Sequence, residues 1–348
     1  MALVASTVAV PYWRALVRDV AIVFMLHRFA DAERGVDGIT TGSLRANLAF
    51  LRRHRFGLGS FQDLLSEPPP GKGRKTPLVL FTVDDGYAEF ASVAAPVFAE
   101  FDCPVTVFLT TGPVDSSTWF WWDKVEHAIH TTNLRGMRLQ LGNETASWNW
   151  DAPHERQHAV SAIVERLKAI PNEAKLTILA TLAERLEVNL PDAPPPRYAP
   201  MSWSDVRRCA TRGVTFGPHT VTHPILTQVS DAQAEWEISE SWNRLRSECT
   251  ATVPVFCYPN GLFSSREVNI LRRSDLIAAV TTEPYYSSRT VSRAQSSDSR
   301  FRLPRFNYAS DHAEFVAIAT GLDRVNALFR EGRAGWRAIG GIEPPVVG

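Results

Sequence analysis

Short apolar runs alternate along the chain with stretches whose apolar residues recur at helical spacing. VAIVFML (residues 20–26), LVLFTV (78–83) and PVTVFLTTG (104–112) predict three strands. Between the first two, SLRANLAFLRRH carries Leu44, Leu48 and Leu51 on one helical face. SEPPPGKGRKTP (66–77) is a loop by its proline, glycine and lysine content.

The alternation breaks over residues 115–200, where HERQHAVSAIVERLKAI and NEAKLTILATLAERLEV predict helices. A short hairpin is expected near 137–150, and the proline-rich PDAPPPRYAP closes the stretch like a linker. The alternation then resumes. Ser202 with Asp205 opens the helix WSDVRRCATR and Gly213 stops it; Ser230 with Gln233, and Ser264 with Glu267, open two more. VTFG, VPVFCYP, LIAAVTT and FRLPRF supply four further strands. Strand and helix in this order predict parallel β/α units, either closed into a barrel or doubly wound. The expected organisation is an α/β body of residues 1–114 and 201–348, with 115–200 as an inserted, mostly helical subdomain.

Composition narrows the function. In 348 residues, Lys plus Arg equals Asp plus Glu at 37 each, which removes any charge-based case for nucleic acid or an anionic membrane. Cys103, Cys209, Cys249 and Cys257 are far apart with no CxxC spacing, so reduced buried thiols are expected rather than disulfides or a zinc–thiolate site. The N-terminal MALVASTVAVPYWRALVRD has no positive charge ahead of its apolar run and reads as a poor signal peptide. No stretch reaches the ~18 apolar residues of a membrane span. The expectation is a cytoplasmic protein without stable membrane insertion.

The polar residues fall at strand ends. His27 follows VAIVFML, Asp84 and Asp85 follow LVLFTV, His219 and His223 sit in GPHTVTHP past VTFG, and Tyr258, Pro259 and Asn260 come past VPVFC. In a β/α barrel that rim carries the chemistry. Each group alone has an ordinary explanation: Asp-Asp-Gly and Tyr-Pro-Asn-Gly make turns, two histidines four apart share a helix face, and His27 fits a core. Together they are more informative. Two neutral imidazoles and one carboxylate are the ligand set of an open catalytic zinc site. Adjacent aspartates would repel unless one holds a proton or something positive sits there; if one binds a dication, the other can stay ionised as a proton acceptor.

TVDDG, PHTVTHP and CYPNG, in that order over about residues 20–305, resemble the polysaccharide deacetylase family, carbohydrate esterase family 4. The resemblance implies a distorted (β/α)7-type barrel. It also implies a metal-dependent N-deacetylase that removes acetyl from an N-acetylated amino sugar in a cell-surface glycan or its precursor. On the matching positions Asp84 would be the general base. Asp85, His219 and His223 would hold a divalent metal, with Zn²⁺ the default, and a backbone N–H near Tyr258, with Asn260 beside it, would face the oxyanion. Val83 replaces the family's usual phenylalanine and Pro218 a frequent serine, neither of which removes a ligand.

Two departures bear on mechanism. Val255, Phe256 and Cys257 fill the space where the family has an arginine, which makes Arg305 in LPRF the candidate to approach and tune Asp84. The late Leu-x-His motif is absent, and His312 does not match it. FMLHRF, FWWDKVE and MSWSDV resemble a branch of the family found in surface-glycan biosynthesis, where the histidine after the first strand, here His27, becomes the candidate general acid. Phe120, Trp121 and Trp122 suit either a sugar platform, with Trp122 foremost, or an anchor for the insertion. Trp236 and Trp242 are expected in a core or interface. Two rivals remain: an amide hydrolase for a small non-glycan amide, and a metal-free sugar-binding module.

Overall fold

All six residues of LVLFTV are buried in the computed structural model, as befits a strand covered on both faces. The structure describes residues 17, 20–66, 76–116, 118–141, 144–288 and 298–322. Most of the N-terminal stretch and the tip of the 66–77 loop lie outside them.

The strands are β1 Val20–Leu26, β2 Gly57–Leu58, β3 Leu78–Val83, β4 Val105–Leu109, β5 Gly136–Leu141, β6 Glu144–Asn149, β7 Val214–Pro218, β8 Val255–Cys257, β9 Ala278–Val280, β10 Ser287–Ser288 and β11 Phe306–Asn307. β1 pairs in parallel with β3, β3 with β4, and β4 with β7, in registers Ala21↔Leu78, Phe81↔Val105 and Val105↔Val214. The ring continues through a parallel bridge Phe216↔Thr252 into β8, which pairs with β9. A second bridge, Val280↔Leu303, leads to β11, which returns to β1 at Phe24↔Phe306. β1, β3, β4, β7, β8, β9 and the stretch 303–307 thus make a distorted seven-stranded parallel barrel. The expected strands LIAAVTT and VPVFCYP shrink to three residues each, and FRLPRF to a bridge plus two. That shortening makes the barrel irregular on this side.

Strand alternation sorts the side chains. Ile22, Phe24, Leu26, Val79, Phe81 and Val83 face outward into the large core beneath the helices. Val23, Leu80, Phe108, Val255, Val280 and Leu303 fill the barrel interior. The barrel is tightly filled at Gly217, where a Cβ would lie 2.6 Å from Val255 O and 2.7 Å from the Phe108 ring. The predicted helix starts form as capping boxes at Ser202/Asp205 and Ser264/Glu267, and Ser230 accepts from the Gln233 N–H.

Between β4 and β7 the chain forms the helix Trp121–Thr131, the hairpin β5–β6 and the helices Pro153–Lys168 and Asn172–Arg185. These elements have their own apolar cluster, including Val125, Ile129, Leu139, Trp150, Ile163 and Leu182. All four cysteines are buried and free. Among the described residues no helix is long and apolar enough to cross a membrane. Trp242 is buried, but Trp236 is 45% exposed, because it falls on the solvent face of the helix Asp231–Glu248.

Candidate active site

The inward row of β3 runs Leu78, Leu80, Thr82 and, one step past the strand, Asp84. The same alternation carries β1 to His27, β7 to His219 and β8 to Cys257. Asp85 would face away if the strand continued. Its φ of 72° breaks the alternation, and Gly86 follows at 87°. In the left-handed region Asp85 swings back, so both carboxylates look into one cavity. A side chain at Gly86 would strike Leu109, with a Cβ 2.2 Å from Cδ1.

Asp85 Oδ1 lies 3.6 Å from His219 Nε2 and 3.4 Å from His223 Nε2, and the two Nε2 atoms are 3.1 Å apart. A tetrahedral ion with bonds of 2.0–2.1 Å needs ligand–ligand edges of about 3.3 Å. His219 Nδ1 donates to Cys257 O at 2.8 Å, which leaves its Nε2 as a bare lone pair. Burial lowers the pKa of His219 to about 4 and that of His223 well below the usual value, so both rings are neutral. Burial raises the Asp85 carboxyl to about 7; His27 opposes the rise and Asp84 adds to it. Without a metal, the one proton of neutral His223 sits either on Nε2, toward His219, or on an Nδ1 that has no partner; a cation would take both Nε2 lone pairs and the Asp85 oxygen together. The donor set fits a divalent metal.

The loop that presents the histidines is held from below. Glu237, fully buried in the helix Asp231–Glu248, accepts the N–H groups of Val221 and Thr222 at 2.7 and 2.9 Å. Thr220 and His223 flank this anchor with φ of 66° and 56°.

Asp84 is paired differently. Arg305, fully buried, donates Nη1 to Asp84 Oδ1 at 2.7 Å and Nη2 to Oδ2 at 2.8 Å. Its remaining donors reach Thr281 O, Thr82 Oγ1 and Cys257 Sγ. Burial pushes the Asp84 carboxyl up, but the Arg305 charge and hydrogen bonds outweigh it and hold Asp84 well below the ordinary carboxylate range. Cys257 donates its S–H to Asp84 Oδ2 at 3.5 Å. Asp84, His219 and Cys257 also cluster within ligand range. That set is the poorer one, since Arg305 occupies both Asp84 oxygens and burial pushes the Cys257 thiol well up. His27, half exposed, places Nε2 3.9 Å from Asp84 Oδ2, within one water of it.

The family model for polysaccharide deacetylases matches residues 71–278, a span that takes in both aspartates and both histidines. The chain belongs to the polysaccharide deacetylase family. Its fold is similar to that of the Streptococcus pyogenes deacetylase PplD, solved in complex with acetate, at a TM-score of 0.51 and 16% identity over 84% of this chain and 93% of that one. The Bacillus cereus polysaccharide deacetylase BC0361 gives a TM-score of 0.52 at 14% identity, over 86% of this chain and 69% of that one. No curated protein sequence matches the chain.

The deacetylase encloses these groups in a cavity of about 360 Å³ lined also by Trp121, Trp122, Tyr258, Asn260 and Thr282. The Trp122 ring stands edge-on to His223 at 4.6 Å and stacks on Phe120 at 4.6 Å. Trp122 Nε1 donates to Tyr87 Oη at 2.9 Å, and Tyr87 Oη to Asp123 Oδ2 at 2.8 Å. The aromatic cluster is therefore wall and anchor at once. Tyr258 lines the cavity, but its own N–H is not the one that could face an oxyanion. Its ring is buried against Phe263 and its N–H donates to Val280 O at 3.4 Å, because β8 still pairs with β9 there. That N–H does not face the cavity. Asn260, at φ 55°, lines the cavity alongside Tyr258. His312 is engaged with Asn47 under the helix Thr41–Arg53.

Cys257, Glu237, Tyr87 and Asp123 escape the sequence reading. Glu237 shares its helix with Glu235 and Glu240, and nothing in the string marks which of them is buried. Cys257 alone carried a signal, since it adjoins Tyr258 in CYPNG.

Proposed function

We propose that this deacetylase is a metal-dependent hydrolase that removes the acetyl group from an N-acetylated amino sugar in a cell-surface glycan or its precursor. One observation carries the reading. Three potential metal-ligand atoms, Asp85 Oδ1, His219 Nε2 and His223 Nε2, stand 3.1–3.6 Å apart beside a second carboxylate kept ionised by a buried arginine. Zinc suits the edge lengths and the nitrogen-rich set. A bound divalent ion supplies polarisation of the acetamide carbonyl and a lowered pKa for its water.

The chain's own residues do the rest. Asp84 accepts the proton of the attacking water, and Arg305 keeps it ionised to do so. His27, on the open side of the cavity, donates a proton to the amine as the carbon–nitrogen bond breaks. Acetate and a free amino sugar result. Trp122 offers a flat apolar wall to one pyranose face. Four unpaired buried thiols support a reducing compartment, the cytoplasm, as the working place.

The test is acetate release across a panel of N-acetylhexosamine saccharides, with metal content measured before and after chelation. Activity that tracks metal content supports the proposal. Full acetate release from metal-free protein, or hydrolysis confined to small non-glycan amides, refutes it.

A further inference from the structure

A second cleft of about 950 Å³ opens on the other side of Trp121 and His223, both of which line the two cavities. One wall is the start of the helix Asn172–Arg185, and the other is the chain from Thr222 to Gln233. That helix begins at Pro171 with no side-chain cap, so its first-turn N–H groups are left to whatever enters the cleft. Lys175, in the same turn, is only 1% exposed. Its Nζ lies 4.8 Å from the centroid of the Trp121 ring and has no hydrogen-bond or ion-pair partner among the described residues. Across the cleft, Gln228 Oε1 is buried without a partner. Glu173, the one acidic group of the lining, is exposed, and the half-buried Lys124 adds a second cation.

A lysine buried without a counter-ion destabilises the fold that holds it. Burial lowers its pKa to about 8, still mostly charged at neutral pH. A Trp face offsets part of the cost, and an external anion would offset the rest. An open helix N-terminus is independently a place for negative charge. Indole rings and an amide beside them are the surfaces that pyranose rings use, through apolar faces and hydroxyl hydrogen bonds.

We propose that this cleft is a binding subsite for an acidic group on the saccharide, a carboxylate or a phosphate, seated between Lys175 and the start of the helix Asn172–Arg185. The proposal rests on the deacetylase reading and extends it. The sugar to be deacetylated lies at the metal-ligand site, and the charged portion of the same molecule reaches past Trp121.

The test is direct binding by titration calorimetry, which does not depend on turnover. Three probes are compared: chitotetraose, a tetrasaccharide alternating glucuronate with N-acetylglucosamine, and N-acetylglucosamine 1-phosphate. Each is titrated into wild type, Lys175→Met and Lys175→Arg. At least one anionic probe should bind wild type about tenfold or more tightly than chitotetraose, the usual scale of a charge-assisted contact. That preference should vanish in Lys175→Met, persist in Lys175→Arg and weaken with salt. The glucuronate probe leading identifies a carboxylate as the ligand, and the phosphate probe leading identifies a phosphoryl group. Equal affinities for all three probes in wild type, or a preference unchanged in Lys175→Met, overturns the proposal. Anion preference with no acetate release would instead overturn the proposed activity and leave the subsite standing.

Discussion

Exchanging Arg305 for methionine removes the charge that faces Asp84 and keeps an apolar stem of similar length. In the wild type the guanidinium makes two hydrogen bonds to Asp84, at 2.7 and 2.8 Å, and others to Thr281 O, Thr82 Oγ1 and Cys257 Sγ, all out of water. Breaking a buried pair by deleting one partner costs about 3–5 kcal/mol, because the remaining charge loses its counter-ion. At roughly 2–4 °C per kcal/mol, Tm should fall on the order of 10 °C. Burial, already the strongest influence on Asp84, then acts unopposed by Arg305 and shifts the carboxyl upward, toward its protonated form. A protonated Asp84 cannot accept a proton, so acetate release should fall roughly 10²–10⁴-fold, the usual worth of a general base.

The double variant D84N/R305M locates the effect. With the charge gone from both positions, the second substitution should cost far less stability than the first, a coupling that a double-mutant cycle reads directly. The pH dependence has a definite sign. Asp84's depressed pKa stabilises the wild type above the unfolded value of about 3.9, and that contribution is lost as pH falls through the folded value. The gap in Tm between wild type and R305M should therefore narrow in acid. An R305M protein with wild-type Tm and an unaltered rate–pH profile would refute the reasoning.

Three further outcomes follow from the same geometry. Asp84→Asn should keep its metal and lose turnover, while Asp85→Ala, His219→Ala and His223→Ala should lose metal by elemental analysis after dialysis. His27→Ala should retain metal and lower kcat about 10²-fold or more, recoverable in part with substrates whose leaving amine is more acidic. In the absence of ligand, Lys175→Met should raise Tm at pH 7. The wild type alone should gain stability as pH rises from about 8 to the ordinary lysine value of 10.5, since the unfolded chain holds the proton that the folded one has released.

The strand ends, the capping serines and the order of the three motifs were readable from the string, because alternation and capping act over a few residues. From them came the rim position of Asp84, Asp85, His219 and His223, and with the family resemblance, the barrel. That both aspartates can turn to the mouth where the strand stops at Gly86 was legible as well; the left-handed φ of 72° at Asp85 that accomplishes it was not. Nor could local signals show that the Tyr258 N–H is taken by Val280 O, since that pairing joins strands more than twenty residues apart. The long reach from Arg305 to Asp84 was named from a missing arginine, but its two-pronged hydrogen bonding is a property of barrel closure. Chain periodicity determines which face a side chain takes, and only folding decides which buried charges meet. For that reason Glu237, Tyr87, Asp123 and Lys175, each unremarked in its own stretch of sequence, take their meaning from neighbours brought in by the tertiary structure.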